Sequence, residues 1–311
     1  MQQKLVHFKY VPVFNGYLMS LSSTQHTSSA HALIDELLQA NPIKAAAFIV
    51  TLYGDIVEPR GGVLWIGSII ESCSAVGISE NLVRTAVSRL MAAGQLQGER
   101  VGRRSFYRLT PAARAEFSYA AKVLYDHQDT EQWRLVYLEG PEADATMRAL
   151  KRLGYAAINT RMAIGSDDVP LPAEVLVWQA NVLQGHEAMR DFVAEHWDLA
   201  TYAAAYQGFI SSFQPVAVLL EQLDPAMALT LRLLMVHEYR HIALRAPHFP
   251  AGVLPESWEG HEARQLFAHL YLALSHSADH KIGADFISDQ GALVARTEQV
   301  NQRLERLAVL L

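Results

Sequence analysis

One cysteine, Cys73, stands in a chain of 311 residues. That excludes an internal disulfide and any multi-thiolate metal site. Its neighbours, IIESCSAVG, have the spacing of an amphipathic helix, so Cys73 reads as a small buried apolar residue and not as a nucleophile. Long apolar runs are also missing: QPVAVLLEQL and LTLRLLMVH are cut by polar residues well short of the roughly 20 a membrane span needs. The start, MQQKLVHFKYVPVFNGYLMSLSSTQHT, has neither a long apolar core nor a small-residue cleavage site, which predicts a cytoplasmic protein with no membrane partner. No P-loop, GxGxxG, nucleophile elbow, paired-carboxylate constellation or internal repeat is found. The expectation is therefore a protein without catalytic residues or a cofactor. An excess of positive charge is absent too, since 26 Lys and Arg face 32 Asp and Glu, for a net charge of −6.

What is present is a globular composition, 50% hydrophobic and 19% charged, in a length that suggests two or three domains. Residues 1–30 lack periodicity and read as a mobile arm. A helix is expected at 31–39, and Asn41-Pro42 is a start signal for the next, IKAAAFIVTLYGD. After the EPRGG break, WIGSIIESC has helical spacing and AVGISE is a turn with Ser79 as N-cap. A helix over about 79–93 places Leu82, Val83, Ala86, Val87, Leu90 and Met91 on one face, and Asn81, Arg84, Thr85, Ser88 and Arg89 on the other. Gly94 stops it. LQGERV and SFYRL flank a tight Gly102-Arg103-Arg104 turn as a hairpin, and Thr110-Pro111 opens another helix. Helix, helix, turn, helix, hairpin, helix is the order of a winged helix-turn-helix, assigned to residues 31–128.

Residues 129–197 change character. WRLVYLEG, AAINTRMAIG and EVLVWQA read as strands, and EADATMRALKRLGY and GHEAMRDFVAEHWDL as helices, which predicts a small ferredoxin-like α+β unit. Residues 198–311 read as an all-helical C-terminal domain, to which the family resemblance given below assigns effector binding or dimerisation. There Asp224-Pro225 starts one helix, and DQGALVARTEQVNQRLERLAVLL supplies a last amphipathic one. The fold class is thus multidomain α+β.

Charge is unevenly distributed. Residues 79–114 hold seven arginines against Glu80 and Glu99, a local balance of +5, so the rest of the chain must carry −11. A basic island in an acidic chain is the footprint of a DNA-reading module. On a recognition helix, Asn81, Arg84, Thr85 and Ser88 would face base edges, with Arg84 suited to bidentate contact with guanine. Arg89 and the hairpin arginines Arg103 and Arg104 would meet phosphates or the minor groove. One such module reads a short site weakly, so a homodimer on two-fold-related, double-stranded operator DNA is expected.

His237-Glu238-Tyr239-Arg240-His241 fits HExxH, in which two histidines one helical turn apart hold zinc beside a glutamate base. The alternative function is therefore a zinc-dependent hydrolase using this segment. The metzincin continuation fails, since Leu244 and Pro247 stand where glycine and histidine belong. ALTLRLLMVHEYRHIALR is also apolar nearly all round, as a buried helix would be. No metal is expected.

Over about residues 40–280 the chain resembles the PaaX family of repressors of bacterial phenylacetate catabolism. The resemblance rests on LYGD, RGGVLWIGSII, GISENLVRTAVSRLMAAGQLQGERVGRRSFYRLT, YAAAYQGFISSFQP and HEYRHIALRAPHFPAGVLPESWEGHEARQLFAHLY. It implies a dimeric repressor with this three-part organisation, released from DNA by an aryl-CoA thioester, typically phenylacetyl-CoA. Recognition of such an effector calls for arginines, stacking aromatics and an apolar pocket; Tyr239, Arg240 and Trp258 are the candidates.

Overall fold

A computed structural model describes residues 23–126, 132–166, 171, 175–249, 252–255 and 257–311. The chain opens with α1 (Ser23–Ala40), α2 (Ala45–Leu52), β1 (Val63–Trp65), α3 (Ile66–Ser74), α4 (Glu80–Ala92), β2 (Leu96–Val101), β3 (Arg104–Leu109) and α5 (Pro111–Tyr125). There follow β4 (Trp133–Tyr137), α6 (Ala143–Arg152), β5 (Ala156–Ala157), β6 (Met162–Ser166), β7 (Leu176–Ala180) and α7 (His186–His196). The C-terminal part holds α8 (Leu199–Phe213), α9 (Val216–Leu219), α10 (Pro225–Ala243), α11 (Glu259–Asp285), β8 (Ile287–Ser288), β9 (Gly291–Ala292) and α12 (Glu298–Ala308). This is a mixed helix-and-sheet protein, and no described helix is long and apolar enough to cross a membrane.

Local chemistry explains several boundaries. Thr110 caps α5 by accepting from the Ala113 amide, and Asp224 caps α10 by accepting from that of Met227, each with proline at the first helical position. Gly94, at φ 69°, ends α4 in the left-handed region. The β2–β3 loop is two residues, because Val101 pairs with Arg104, and Gly102 at φ 61° supplies the first turn position. β1 adds to the other side of β3, giving the order β1-β3-β2. Ser79 takes the cap position of α4, but its hydroxyl makes no capping bond.

Four expectations need correction. Residues 23–30 belong to α1 instead of an arm, while residues 1–22 of that arm lie outside the described residues. Asn41-Pro42 does not open α2, which starts at Ala45 and runs on into a π-turn, Tyr53–Val57, and a 3₁₀ turn, Glu58–Arg60. The tail is not helical throughout, because β8 and β9 form a small hairpin before α12, whose cap is Thr297. Leu82 and Met91 do not join the buried face of α4 but are 58% and 42% exposed.

Buried residues of α1–α5 and of α8–α12 form one continuous core, including Phe48, Ile69, Val83, Leu124, Phe209, Leu234, Phe267 and Leu307. Residues 133–196 build two smaller clusters, one of them together with Trp197, Leu199, Phe249, Val253 and Leu254. Their antiparallel sheet has the order β5-β6-β4-β7, and its alternating strands face two clusters. Val136 and Ala163 pack with Met147 and Leu150 of α6, whereas Trp133 and Ile164 pack with Val193 of α7 and with Val253. Strands and helices together make a small α+β unit. Its second helix, α7, follows β7, and the apolar stripe Met189, Phe192 and Val193 covers the face opposite α6.

A buried ionic cluster ties the two ends of the chain together. Asp55, in the π-turn, accepts from Tyr271 Oη at 2.7 Å, Tyr125 Oη at 3.1 Å, Arg232 Nε at 3.1 Å and Arg303 Nη1 at 3.3 Å. Asp279 accepts from Arg60 at 2.7 Å and Arg232 at 2.9 Å. Burial alone would raise the pKa of Asp55, but Arg232 and Arg303 outweigh it and hold the carboxylate below its ordinary range.

Candidate nucleic-acid interface and ligand cavities

The first candidate surface is the solvent face of α4. Val83, Ala86, Val87 and Leu90 are buried, which turns Asn81, Arg84, Thr85, Ser88 and Arg89 outward, all exposed. Asn81, Arg84, Thr85 and Ser88 fall at helical spacing on one stripe. Arg84 reaches back to Glu80 (Nη2 to Oε1, 2.7 Å), an exposed pair one helical turn apart that contributes little to stability. The Thr85 hydroxyl donates to the Asn81 carbonyl at 2.8 Å, so toward a ligand it is an acceptor. Leu82 adds an exposed apolar side chain to the same helix. Sequence patterning assigned Leu82 to the core, because 3.6-residue periodicity alone does not fix how wide the buried stripe is.

The hairpin arginines part company. Arg103 is exposed in the turn with no partner among the described residues, as is Arg89 on α4. Arg104 begins β3, and its guanidinium lies over the Trp65 ring, 5.0 Å from the centroid. Trp65 in turn lies flat on Gly67, where a Cβ would come within 2.3 Å of the indole. The start of α3 thus carries a stacked tryptophan that holds one hairpin arginine in place. Trp65 was not singled out by the sequence, since its partners lie on a different strand. Of the remaining arginines in the basic island, Arg108 pairs with Glu99 at 2.9 Å and Arg114 with Glu58 at 3.2 Å. Arg100 donates to the Gly102 carbonyl at 3.2 Å.

HEYRH lies near the end of α10, packed against α2. His237 is buried, with Nδ1 2.8 Å from the Thr51 hydroxyl. Burial first, then His241 and Arg240, pull its pKa down to about 3, so the ring is neutral. His241 Nδ1 lies 2.6 Å from the His237 carbonyl. Burial raises the pKa of Glu238. Among the described residues, no group of three or more His, Cys, Asp or Glu is placed to hold a metal ion. Cys73 is fully buried, and burial pushes its thiol up to about 12.

Tyr239, Arg240 and Trp258 are not brought to one place. Tyr239 is buried, stacked on Phe267 at 4.3 Å between ring centroids, with Phe209 at 5.3 Å. Trp258, the cap residue of α11, packs edge-on to Tyr206, which also contacts Tyr239. Arg240 points the other way, donating to the Ala47 carbonyl and the Thr51 hydroxyl, each at 3.3 Å. It lines a cavity of about 270 Å³ between α2, α5 and α10. A larger one, about 920 Å³, opens between α5 and α12. Neither was legible in the sequence, because each is made by segments far apart in the chain.

Residues 44–113 match the PaaX-like protein family, and residues 197–284 match the PaaX-like protein C-terminal domain. The chain is 31% identical over 291 residues to the transcriptional repressor PaaX of Escherichia coli (strain K12), covering 85% of this chain and 89% of that one. Among solved structures, an uncharacterized protein from Mycobacterium tuberculosis aligns with a TM-score of 0.44 at 19% identity, over 81% of this chain and 97% of the other.

Proposed function

Because this chain belongs to the PaaX family, we propose that it is a sequence-specific, DNA-binding transcriptional repressor and not an enzyme. Its targets are genes of aromatic, specifically phenylacetate, catabolism, and phenylacetyl-CoA or a related aryl-CoA thioester releases it from its operator. Residues 31–128 act as a winged helix-turn-helix, 129–197 as the α+β middle domain and 198–311 as the helical effector and dimerisation domain. The observation that carries the reading is the exposed stripe of α4 beside a two-residue hairpin turn, in a chain 31% identical to a transcriptional repressor.

In this reading Asn81, Arg84, Thr85 and Ser88 meet base edges in the major groove. Arg84 exchanges Glu80 for a guanine, at small cost because the pair is exposed. Arg89 and Arg103 meet phosphates, and Arg104, braced on Trp65, positions the wing. A homodimer supplies two such surfaces to a two-fold-related site.

The test is binding to the promoter region nearest the protein's own gene, titrated with phenylacetyl-CoA, free phenylacetate and CoA. Release by the thioester alone is expected. Indifference to all three removes the effector, and equal binding to promoter and random duplex removes the operator.

A further inference from the structure

The two cavities meet on α5. The smaller is walled mainly by apolar side chains, among them Val50, Ala120, Leu124, Val236 and Leu244, with the Arg240 guanidinium as its cation. The larger has mixed walls: Arg114, Lys122 and Arg306 lie on it beside Glu58, Asp126 and Glu298, with apolar surface from Phe117, Ala121 and Tyr125. Gly54, Phe117, Ala121 and Tyr125 line both, so a single layer of side chains separates them.

We propose that these cavities are two halves of one ligand site. The smaller takes a compact aromatic acyl group, and the larger takes the phosphorylated body of its coenzyme A thioester. This rests on the repressor reading above and adds to it where the effector binds. An apolar cavity of roughly 150 Å³ admits benzene, so about 270 Å³ accommodates one ring with a short linker and not a long acyl chain. Arg240 has five N–H donors and spends two contacts on Ala47 and Thr51, which leaves donors for a thioester carbonyl.

In the larger cavity, Arg114 and Arg306 each hold one carboxylate, Glu58 and Asp126, while staying more than half exposed. Lys122 has no partner among the described residues. Each guanidinium has five N–H donors and its carboxylate occupies only some of them, so phosphates can accept charge-assisted bonds from the rest without breaking these pairs. Glu58 Oε1 is buried without a hydrogen-bond partner, and an amide or hydroxyl of the ligand body would satisfy it. A ligand here also sits where it can act on DNA binding. α5 follows β3 of the hairpin directly, and α2 packs on α4, so separating α5 from α10 displaces both.

Isothermal titration calorimetry on the full chain, with phenylacetyl-CoA, acetyl-CoA, CoA and phenylacetate, tests the site. Lys122→Glu, an exposed change checked by thermal melting, is expected to weaken phenylacetyl-CoA and CoA about tenfold and leave phenylacetate unaffected. Ala120→Leu, which narrows the smaller cavity, is expected to weaken phenylacetyl-CoA but not acetyl-CoA. If the wild type binds phenylacetyl-CoA and both folded variants bind it within twofold of that, this site is overturned while the repressor reading stands. If the wild type binds no CoA thioester, the effector reading falls and this site with it.

Discussion

The Thr51 hydroxyl lies 2.8 Å from His237 Nδ1, joining α2 to α10 across 186 positions of sequence. A neutral imidazole suits this contact, whereas a protonated one would be a buried cation beside Arg240 and His241. Burial and those neighbours hold the pKa of His237 near 3, against an ordinary value of about 6.5 in the unfolded chain. As pH falls below about 6.5, the unfolded chain binds a proton that the folded one refuses, and stability drops until pH reaches about 3; above pH 6.5 the effect vanishes. Between pH 7.5 and 5.0 the loss from this residue is about 2 kcal/mol. Urea unfolding of wild type and His237→Gln at both values checks it. Equal losses in the two proteins would show that His237 is not a buried neutral base.

The Asp55 cluster predicts an asymmetry between breaking and replacing charge. Asp55→Asn leaves Arg232 and Arg303 facing each other with one carboxylate fewer, and this should cost about 3–5 kcal/mol. Tyr271→Phe removes one hydrogen bond to that carboxylate and should cost about 1–3 kcal/mol. Chemical denaturation measures both. A cost below about 1 kcal/mol for Asp55→Asn would mean the cluster is hydrated or able to rearrange.

How much of this was legible in the sequence follows from how far apart the partners lie. The β2–β3 hairpin, the end of α4 at Gly94 and the starts of α5 and α10 were all readable, because turn and cap chemistry acts within about four residues. LYGD looked like ordinary helix, since nothing local marks Asp55 as buried. Its partners Arg232, Tyr271 and Arg303 lie 177, 216 and 248 residues away. The stripe of α4 is legible at Val83, Ala86, Val87 and Leu90 but not at Leu82 or Met91, because the width of a buried face is set by the neighbouring helices. Tyr239 and Arg240, adjacent in sequence, were grouped as one effector site; the roughly 100° between successive helical residues sends one to the aromatic stack and the other to the smaller cavity.

Zinc should have no structural role at HEYRH. Among the described residues no third His, Cys, Asp or Glu joins His237 and His241 to complete a metal site, and His237 is buried where α10 packs on α2. Dialysis against a chelator is expected to leave the melting temperature unchanged, with bound zinc well below one per chain by metal analysis. A stoichiometric zinc that disappears in His237→Ala would reverse this.

Two kinds of arginine should give two kinds of DNA-binding defect. Arg84 sits mid-stripe on α4, held only by an exposed pair with Glu80. If it reads a guanine, Arg84→Ala should cost about 1–3 kcal/mol on the operator and much less on random duplex. Arg89 and Arg103 lie off that stripe; as phosphate contacts, their loss should weaken both duplexes alike and reduce the dependence of log affinity on log salt by about one each. Arg104 belongs to neither kind, because it rests on Trp65. Trp65→Ala should therefore reproduce part of the Arg104→Ala defect, and the double variant should lose less than the two single losses added together. Fluorescence anisotropy across a salt series separates these cases. Equal loss on operator and random duplex for Arg84→Ala would remove it as a base reader and leave α4 a phosphate-binding helix.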